Sequence, residues 1–218
     1  MTLFSLIGLS LSIFCLVLSL IISYFAKTKA QKIWAIFNLV VALWGLGTYF
    51  AGISNSTENA LAAWKWTYVF ATFISVIFYH LTHSFCELTN HRFLIFSYLQ
   101  GALFTLLILF SNLFINSITV IYQSIYYHNA LLLFSIWLSI WGTITIAAFL
   151  SLWRYIQIIS GIKKIQALYL FWSMILGFIG GTSSVLPAYG VKMYPFWQAS
   201  ICFYMGGDLT PENCTTCK

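Results

Sequence analysis

The sequence predicts an all-α fold: a polytopic transmembrane helix bundle with six complete spans and an incomplete seventh. Three observations predict it. Of 218 residues, 61% are hydrophobic and 6% charged, whereas a soluble domain carries about 25% charged residues. With so little polar surface the solvent must be a bilayer, which only helices or closed barrels cross. The apolar runs are continuous over about twenty residues, where barrel strands would alternate over about ten, and this selects helices. Finally, the basic residues fall between these runs or at their edges.

The first span covers about residues 3–25. No basic residue precedes it, and Lys27, Lys29 and Lys32 follow it. A secretory signal has the opposite polarity and a shorter apolar region, so this segment reads as a retained anchor. The second span, about 33–53, mixes Asn38, Trp44, Gly45 and Gly47 into an aliphatic surface. Small residues let helices approach closely, and a buried Asn can bond across an interface. Asn55-Ser56-Thr57 in the next connection matches a glycosylation acceptor, a short pattern that is common by chance. The third span, about 62–88, opens on Trp64, Lys65 and Trp66, an interfacial aromatic and snorkelling set. It closes on His80, His83, Cys86 and Glu87, the densest ionisable cluster in the chain. The fourth span is about 93–114. Residues 115–129 then carry no Lys or Arg, and Ile118, Ile121, Tyr122 and Ile125 recur at helical spacing. That pattern fits a short helix in the outer interface or an aromatic belt. The fifth and sixth spans are about 130–153 and 165–186. Gly177, Gly180 and Gly181 loosen the end of the sixth, and Pro187 closes it.

After Phe196, only Trp197 to Met205 is apolar, and a span needs roughly twenty residues. A partial seventh helix over about 196–205 and an unstructured polar tail over 206–218 are therefore expected. The tail ends Cys214-Thr215-Thr216-Cys217-Lys218; one CxxC is half a zinc site and reads as incidental.

The net charge of +6 is dispersed, which argues for topology signals and against a nucleic-acid partner. Lys27, Lys29, Lys32, Arg92, Arg154, Lys163 and Lys164 follow spans one, three and five. The opposite side holds Lys65, at a helix start, and Lys192. The positive-inside rule then places the N-terminus outside.

Asn38-Leu39-Val40-Val41-Ala42-Leu43-Trp44-Gly45-Leu46-Gly47-Thr48-Tyr49 resembles the second helix of the N-terminal seven-transmembrane sensor region of histidine kinases. Ala63-Trp64-Lys65-Trp66, with the helix ending Phe78-Tyr79-His80-Leu81-Thr82-His83-Ser84-Phe85, resembles its third. Gly180 to Phe196, with Leu186-Pro187 and Tyr194-Pro195-Phe196, looks like its turn between helices six and seven. The resemblance covers about 3–196. It implies a sensory or anchoring membrane module of a two-component signalling protein, paired as a homodimer and responding to a small-molecule or membrane signal. The chain departs from the pattern in its short seventh span. No phosphoacceptor-histidine or ATP-binding region follows, so kinase activity in this chain is not expected and the tail reads as a frameshift or gene-end remnant.

The expected sensing residues are Asn38, Trp44, Trp66, His80, His83, Thr182 and Ser183, lining the bundle. His80, His83 and Glu87 share one helical face, but a lone helix gives too few ligands for a closed metal site. Interhelical bonding and snorkelling, or ligand and proton sensing, are the readings of that face. No metal and no cofactor are expected. A retinal protein would need a lysine deep in a span, and none is there. A transporter would need broken helices or charged pairs near the midplane. A small multi-pass transporter or membrane-complex subunit is the alternative. An enzyme would need acid–base or nucleophilic groups converging from several spans, and only the third offers them. If the two histidines sense protons, replacing both together (His80→Gln with His83→Gln) abolishes any pH-dependent conformational change of the reconstituted protein; an unchanged response rules them out.

Overall fold

A computed structural model of the chain describes residues 2–122 and 125–191. The expected seventh span over 196–205, the 206–218 tail with its Cys214–Cys217 pair, Lys192 and the Tyr194-Pro195-Phe196 motif lie outside the described residues. The described residues form α1 (Leu3–Phe25), α2 (Lys29–Ile53), α3 (Thr57–Phe85), α4 (Arg92–Phe110), β1 (Ile118–Ile121), β2 (Ile125–His128), α5 (Leu132–Ile158) and α6 (Gly161–Ser183), then a 3-10 turn over Leu186–Tyr189. Six of the helices are long and apolar enough to cross a membrane. The protein is an all-α bundle of multi-pass type, with one small hairpin inserted.

Three helix ends are set by capping chemistry rather than by the limits of the apolar runs. α2 starts at Lys29, not at 33, because Thr28 and Gln31 form a reciprocal capping box. α3 starts at Thr57, not at 62, because Ser56 accepts from the Asn59 amide. The glycosylation-like triplet is thus a helix cap. α3 stops at Phe85, not at 88: Glu87 takes φ 53° and the Leu88 amide donates to the His83 carbonyl at 3.0 Å, a Schellman stop built on a non-glycine residue. α4 ends at Phe110, not at 114. α5 starts at Leu132 and continues past Arg154 to Ile158, where the apolar run suggested 130–153, and α6 covers Gly161–Ser183 rather than 165–186.

Residues 118–121 and 125–128 are the larger correction. They form an antiparallel hairpin, with Ile118 opposite His128, Val120 opposite Tyr126 and Ile121 opposite Ile125. β-Branched and aromatic residues favour this state, and Tyr122 takes φ 50° at the turn. The isoleucine spacing mimicked a helix; in the hairpin Ile118 and Ile121 are half-buried, and Ile125, Tyr127 and His128 are buried with Tyr126 half-buried.

α2 is the centre of the bundle because it has glycine on opposite faces. Gly45 and Gly47 lie two positions, about 200°, apart on the helix. A Cβ on Gly45 would meet the Gly8 carbonyl oxygen of α1 at 3.0 Å and the Ser12 amide at 3.1 Å. A Cβ on Gly47 would run into Thr67 of α3. α1 answers with a seam of small buried residues, Ser5, Gly8, Ser12, Cys15 and Ser19, and the Ser19 hydroxyl donates to the Ala35 carbonyl at 2.8 Å. Backbones approach this closely only where side chains are small.

The connections sort to two ends. At one end Thr2 bonds the Gly52 carbonyl, Lys65 bonds the Ser111 carbonyl and the Ala130 amide bonds the Ala188 carbonyl. At the other, Lys163 lies 3.8 Å from Glu87. The first is the hairpin end; the second carries the seven basic residues that follow spans one, three and five, and is the basic end. Gly45→Leu is expected to lower unfolding stability in detergent by at least about 1–3 kcal/mol, through backbone clash. Gly142, with nothing within 4 Å of an added Cβ, is expected to tolerate Ala or gain up to about 1 kcal/mol. Equal thermal shifts for the two variants would contradict this packing.

Candidate functional site

Among the described residues, four helices line a cavity in the half of the bundle nearer the hairpin. α3 contributes Trp64, Tyr68, Ala71 and Ile74, and α2 contributes Phe37, Val41 and Trp44. α5 adds Trp137, Leu138 and Trp141; α6 and its end add Met174, Gly177, Phe178, Gly181, Thr182, Ser184 and Val185. The cavity is small, about 70 Å³, below the roughly 300–1,000 Å³ of drug-sized ligand sites. Helical spacing explains the lining: Trp64 and Tyr68, and Trp137 and Trp141, are i, i+4 pairs and so share a face.

The polar groups of this wall are mostly spent within the protein. Trp64 Nε1 donates to the Tyr126 carbonyl at 2.9 Å, Trp137 Nε1 to Thr72 Oγ1 at 3.0 Å and Trp141 Nε1 to the Ala71 carbonyl at 2.9 Å. Thr182 Oγ1 donates to the Phe178 carbonyl and Ser184 Oγ to the Gly181 carbonyl, each at 2.6 Å. The Tyr68 hydroxyl lies 2.9 Å from His128 Nε2. Among the described residues the lining holds no ionised side chain. Such a wall can bind apolar matter; it presents no acid–base pair.

Behind the wall, the hairpin inserts His128 and Tyr127 into an aromatic shell. The His128 ring lies 4.7 Å from Trp64, 4.9 Å from Tyr68 and 5.2 Å from Phe134. It is fully buried, and Nδ1 has no partner among the described residues. Burial lowers its pKa from 6.5 to about 3, so the ring is neutral. Burial also pushes the Tyr127 phenol up, and the Tyr127 hydroxyl donates to the Ser184 carbonyl. With the Ala130–Ala188 bond and the contact of Ser135 Oγ with the Tyr189 hydroxyl at 2.8 Å, the hairpin and α5 latch the end of α6.

The expected sensing residues divide. Trp44 and Thr182 line the cavity. Asn38 is fully buried next to Phe37 but outside the lining; its Nδ2 donates to the Trp34 carbonyl at 2.8 Å and its Oδ1 has no partner among the described residues. Ser183 bonds back to the Gly180 carbonyl at 2.7 Å and also lies outside the lining. Trp66 does not face the bundle interior: it is 56% exposed and borders a side groove with Leu43, Phe50 and Phe70. Its position two residues from Trp64 puts it on the other face of α3. His80 and His83 sit at the basic end, far along α3 from the cavity. His80 Nδ1 is 2.8 Å from the Tyr98 hydroxyl of α4, and His83 Nε2 is 3.2 Å from the Asn90 carbonyl. That geometry fits the interhelical-bonding reading of the histidine face. Beside it, burial pushes the Cys86 thiol up to about 12, which keeps thiolate chemistry away from neutral pH. Among the described residues, no group of three or more His, Cys, Asp or Glu comes together to hold a metal.

His128, Tyr68, Trp137 and Trp141 are the site residues that sequence reasoning missed. The two i, i+4 aromatic pairs were a usable signal for the last three. His128 had none, because only the hairpin fold turns it inward. No family model, no curated protein and no solved structure matches the chain.

The buried neutral histidine gives a pH dependence of known sign. An unfolded chain takes up this proton near the ordinary value of about 6.5, the folded one only near 3. Its contribution to stability is full above about pH 6.5 and declines by about 1.4 kcal/mol per pH unit as pH falls toward 3. Between about pH 7 and pH 5 the protein is expected to lose about 2 kcal/mol that a His128→Gln variant does not lose. Parallel unfolding profiles for the two proteins would contradict the buried neutral state.

Proposed function

We propose that this chain is the membrane-embedded sensor or input region of a histidine-kinase-like two-component signalling protein, and that the aromatic cavity reads its small-molecule or membrane signal. The observation that carries the reading is a cavity walled by four helices of unequal packing. α1, α2 and α3 meet through glycine and serine, with backbones close together. α6 meets α3 and α5 across bulky rings, Phe178 lying 5.1 Å from Phe78 of α3 and 5.3 Å from Trp141 of α5. A ligand that fills the space between them acts on the looser partner, and a ligand shifts an equilibrium by its differential affinity for the two arrangements. The hairpin latch joins the end of α6 to the same wall, so occupancy is passed to the end of the last described helix.

In this proposal the basic end faces the cytoplasm and the N-terminus and hairpin face outward, following the excess of Lys and Arg at one end. The membrane is the bacterial inner membrane, and the working unit is a homodimer. The chain has no catalytic role of its own.

The test uses the full chain in lipid nanodiscs and a panel of neutral apolar small molecules. A ligand present at about a hundred times its Kd is expected to add about 2.7 kcal/mol to unfolding stability and to slow hydrogen exchange at Ser184 to Ala188. Ala71→Phe, which fills the cavity, is expected to remove both effects. Stabilisation without any change at the α6 latch would defeat the signalling reading. Ligand passage across a liposome membrane would favour a small transporter instead.

A further inference from the structure

The side groove bordered by Trp66 is larger than the aromatic cavity. Its volume is about 590 Å³, inside the roughly 300–1,000 Å³ of ligand sites. Two helical stripes wall it, Leu43, Leu46, Phe50 and Ile53 on α2 and Asn59, Ala62, Trp66 and Phe70 on α3. Each stripe recurs every three or four residues and so occupies one face of its helix. Small residues hollow the floor: Gly47 lets the α2 backbone come against Thr67, and Ala63 lines the groove beside it. The rims are apolar and open, with Phe50 49% and Trp66 56% exposed, and the Trp66 and Phe70 rings stack with centroids 6.1 Å apart. On helices that cross a membrane, such a surface meets lipid tails. The polar groups gather at one end, where Ser54, Asn55 and Asn59 line the groove at the turn between the two helices. Ser54 Oγ is spent on the Phe50 carbonyl at 2.8 Å. Among the described residues, the side-chain amides of Asn55 and Asn59 bond no protein group.

We infer that this groove holds one acyl chain of a membrane lipid whose headgroup is uncharged and hydroxyl-bearing, with the Asn55 and Asn59 amides on the headgroup. The length fits a lipid. From 43 to 54 on α2, and from 59 to 70 on α3, the axial rise is about 16 Å, and half the hydrocarbon core of a bilayer is about 15 Å. A chain lying in the groove from the turn inward therefore runs from the interface to the midplane, as lipid tails do. The headgroup class follows from the polar end. An amide both donates and accepts, which suits a hydroxyl. The lining has no Lys or Arg to meet a phosphate and no Asp or Glu to meet an amine. Glu58, exposed beside Asn59 in the same turn, disfavours an anionic headgroup. Lys65, the one lysine of α3, is spent on the Ser111 carbonyl and Asn112 Oδ1. A helix of a second copy is the competing occupant; seated there it would press its apolar surface on two unspent amides, which is costly.

The experiment reconstitutes the full chain in nanodiscs containing equal amounts of a monogalactosyl diacylglycerol, a phosphatidylethanolamine and a phosphatidylglycerol with identical acyl chains. The protein is then moved to mild detergent, and native mass spectrometry reads the lipids that stay bound. One galactolipid per chain is expected to remain, roughly three- to tenfold favoured over either phospholipid, the range of one neutral hydrogen bond. Asn55→Leu with Asn59→Leu, at two exposed positions, is expected to even out the three lipids while one lipid still stays. Ala62→Trp, which fills the groove from an exposed position, is expected to abolish retention at an unchanged melting temperature. No retained lipid, equal retention of all three by the unaltered chain, a preference for either phospholipid, or selectivity that survives loss of both amides would each overturn the inference. So would lipid retained by Ala62→Trp as by the unaltered chain. Cross-linking of two chains through Ala62→Cys, above the background of the chain's own cysteines, would put a second copy in the groove and overturn it as well. The aromatic cavity takes no part in any of these outcomes.

Discussion

The contact on which the rest of the molecule depends is the approach of the α2 backbone to α1 on one side and α3 on the other. In lipid there is no hydrophobic force between apolar helices, so association rests on packing and on hydrogen bonds between them. Gly45 and Gly8 give one close crossing and Gly47 against Thr67 the other. Two members of the resulting three-helix block are the most buried of the six helices: 56% of the apolar window of α2 and 61% of that of α3 are buried, against 33% in α1 and 28% in each of α4, α5 and α6. A rigid block with looser helices around it is the arrangement in which a cavity at the boundary can have consequences elsewhere.

The hairpin is the second constraint. A two-stranded ribbon is marginal alone, and this one is held by what it inserts. His128 bonds Tyr68, Tyr127 bonds the end of α6, and Tyr126 receives the Trp64 indole. Each bond serves a polar group that would otherwise be costly to bury. The same bonds consume donors that would face the cavity, so the hairpin both closes the bundle and makes its interior apolar.

The fold was legible because hydropathy and charge placement act directly on the solvent choice. Six runs of sufficient length, separated by lysines and arginines, leave few alternatives to a helix bundle. Helix ends were less legible, since Thr28, Ser56 and Glu87 act through local backbone bonds that average hydropathy does not register. Of the site, Trp44 and Thr182 were found by composition and by their neighbourhood of small residues. Trp66 misled because an aromatic residue at a membrane interface looks the same whether it faces lipid or protein. His80 and His83 drew attention as ionisable groups in a span, and they are engaged by α4 and the connection before it.

The sequence alone determined the solvent, the helical class, the number of spans among the described residues and the end of the bundle that carries the basic charge, because each follows from summed properties of contiguous residues. It could not determine that residues 118–121 and 125–128 pair as antiparallel strands, or that His128 enters the bundle rather than facing outward. It also could not show that Tyr68, Trp137 and Trp141 meet Trp44 around one space. Those facts depend on which surfaces of different elements oppose each other, and that is decided by the packing of helices around α2 and by the hairpin bonds that only the folded chain can form.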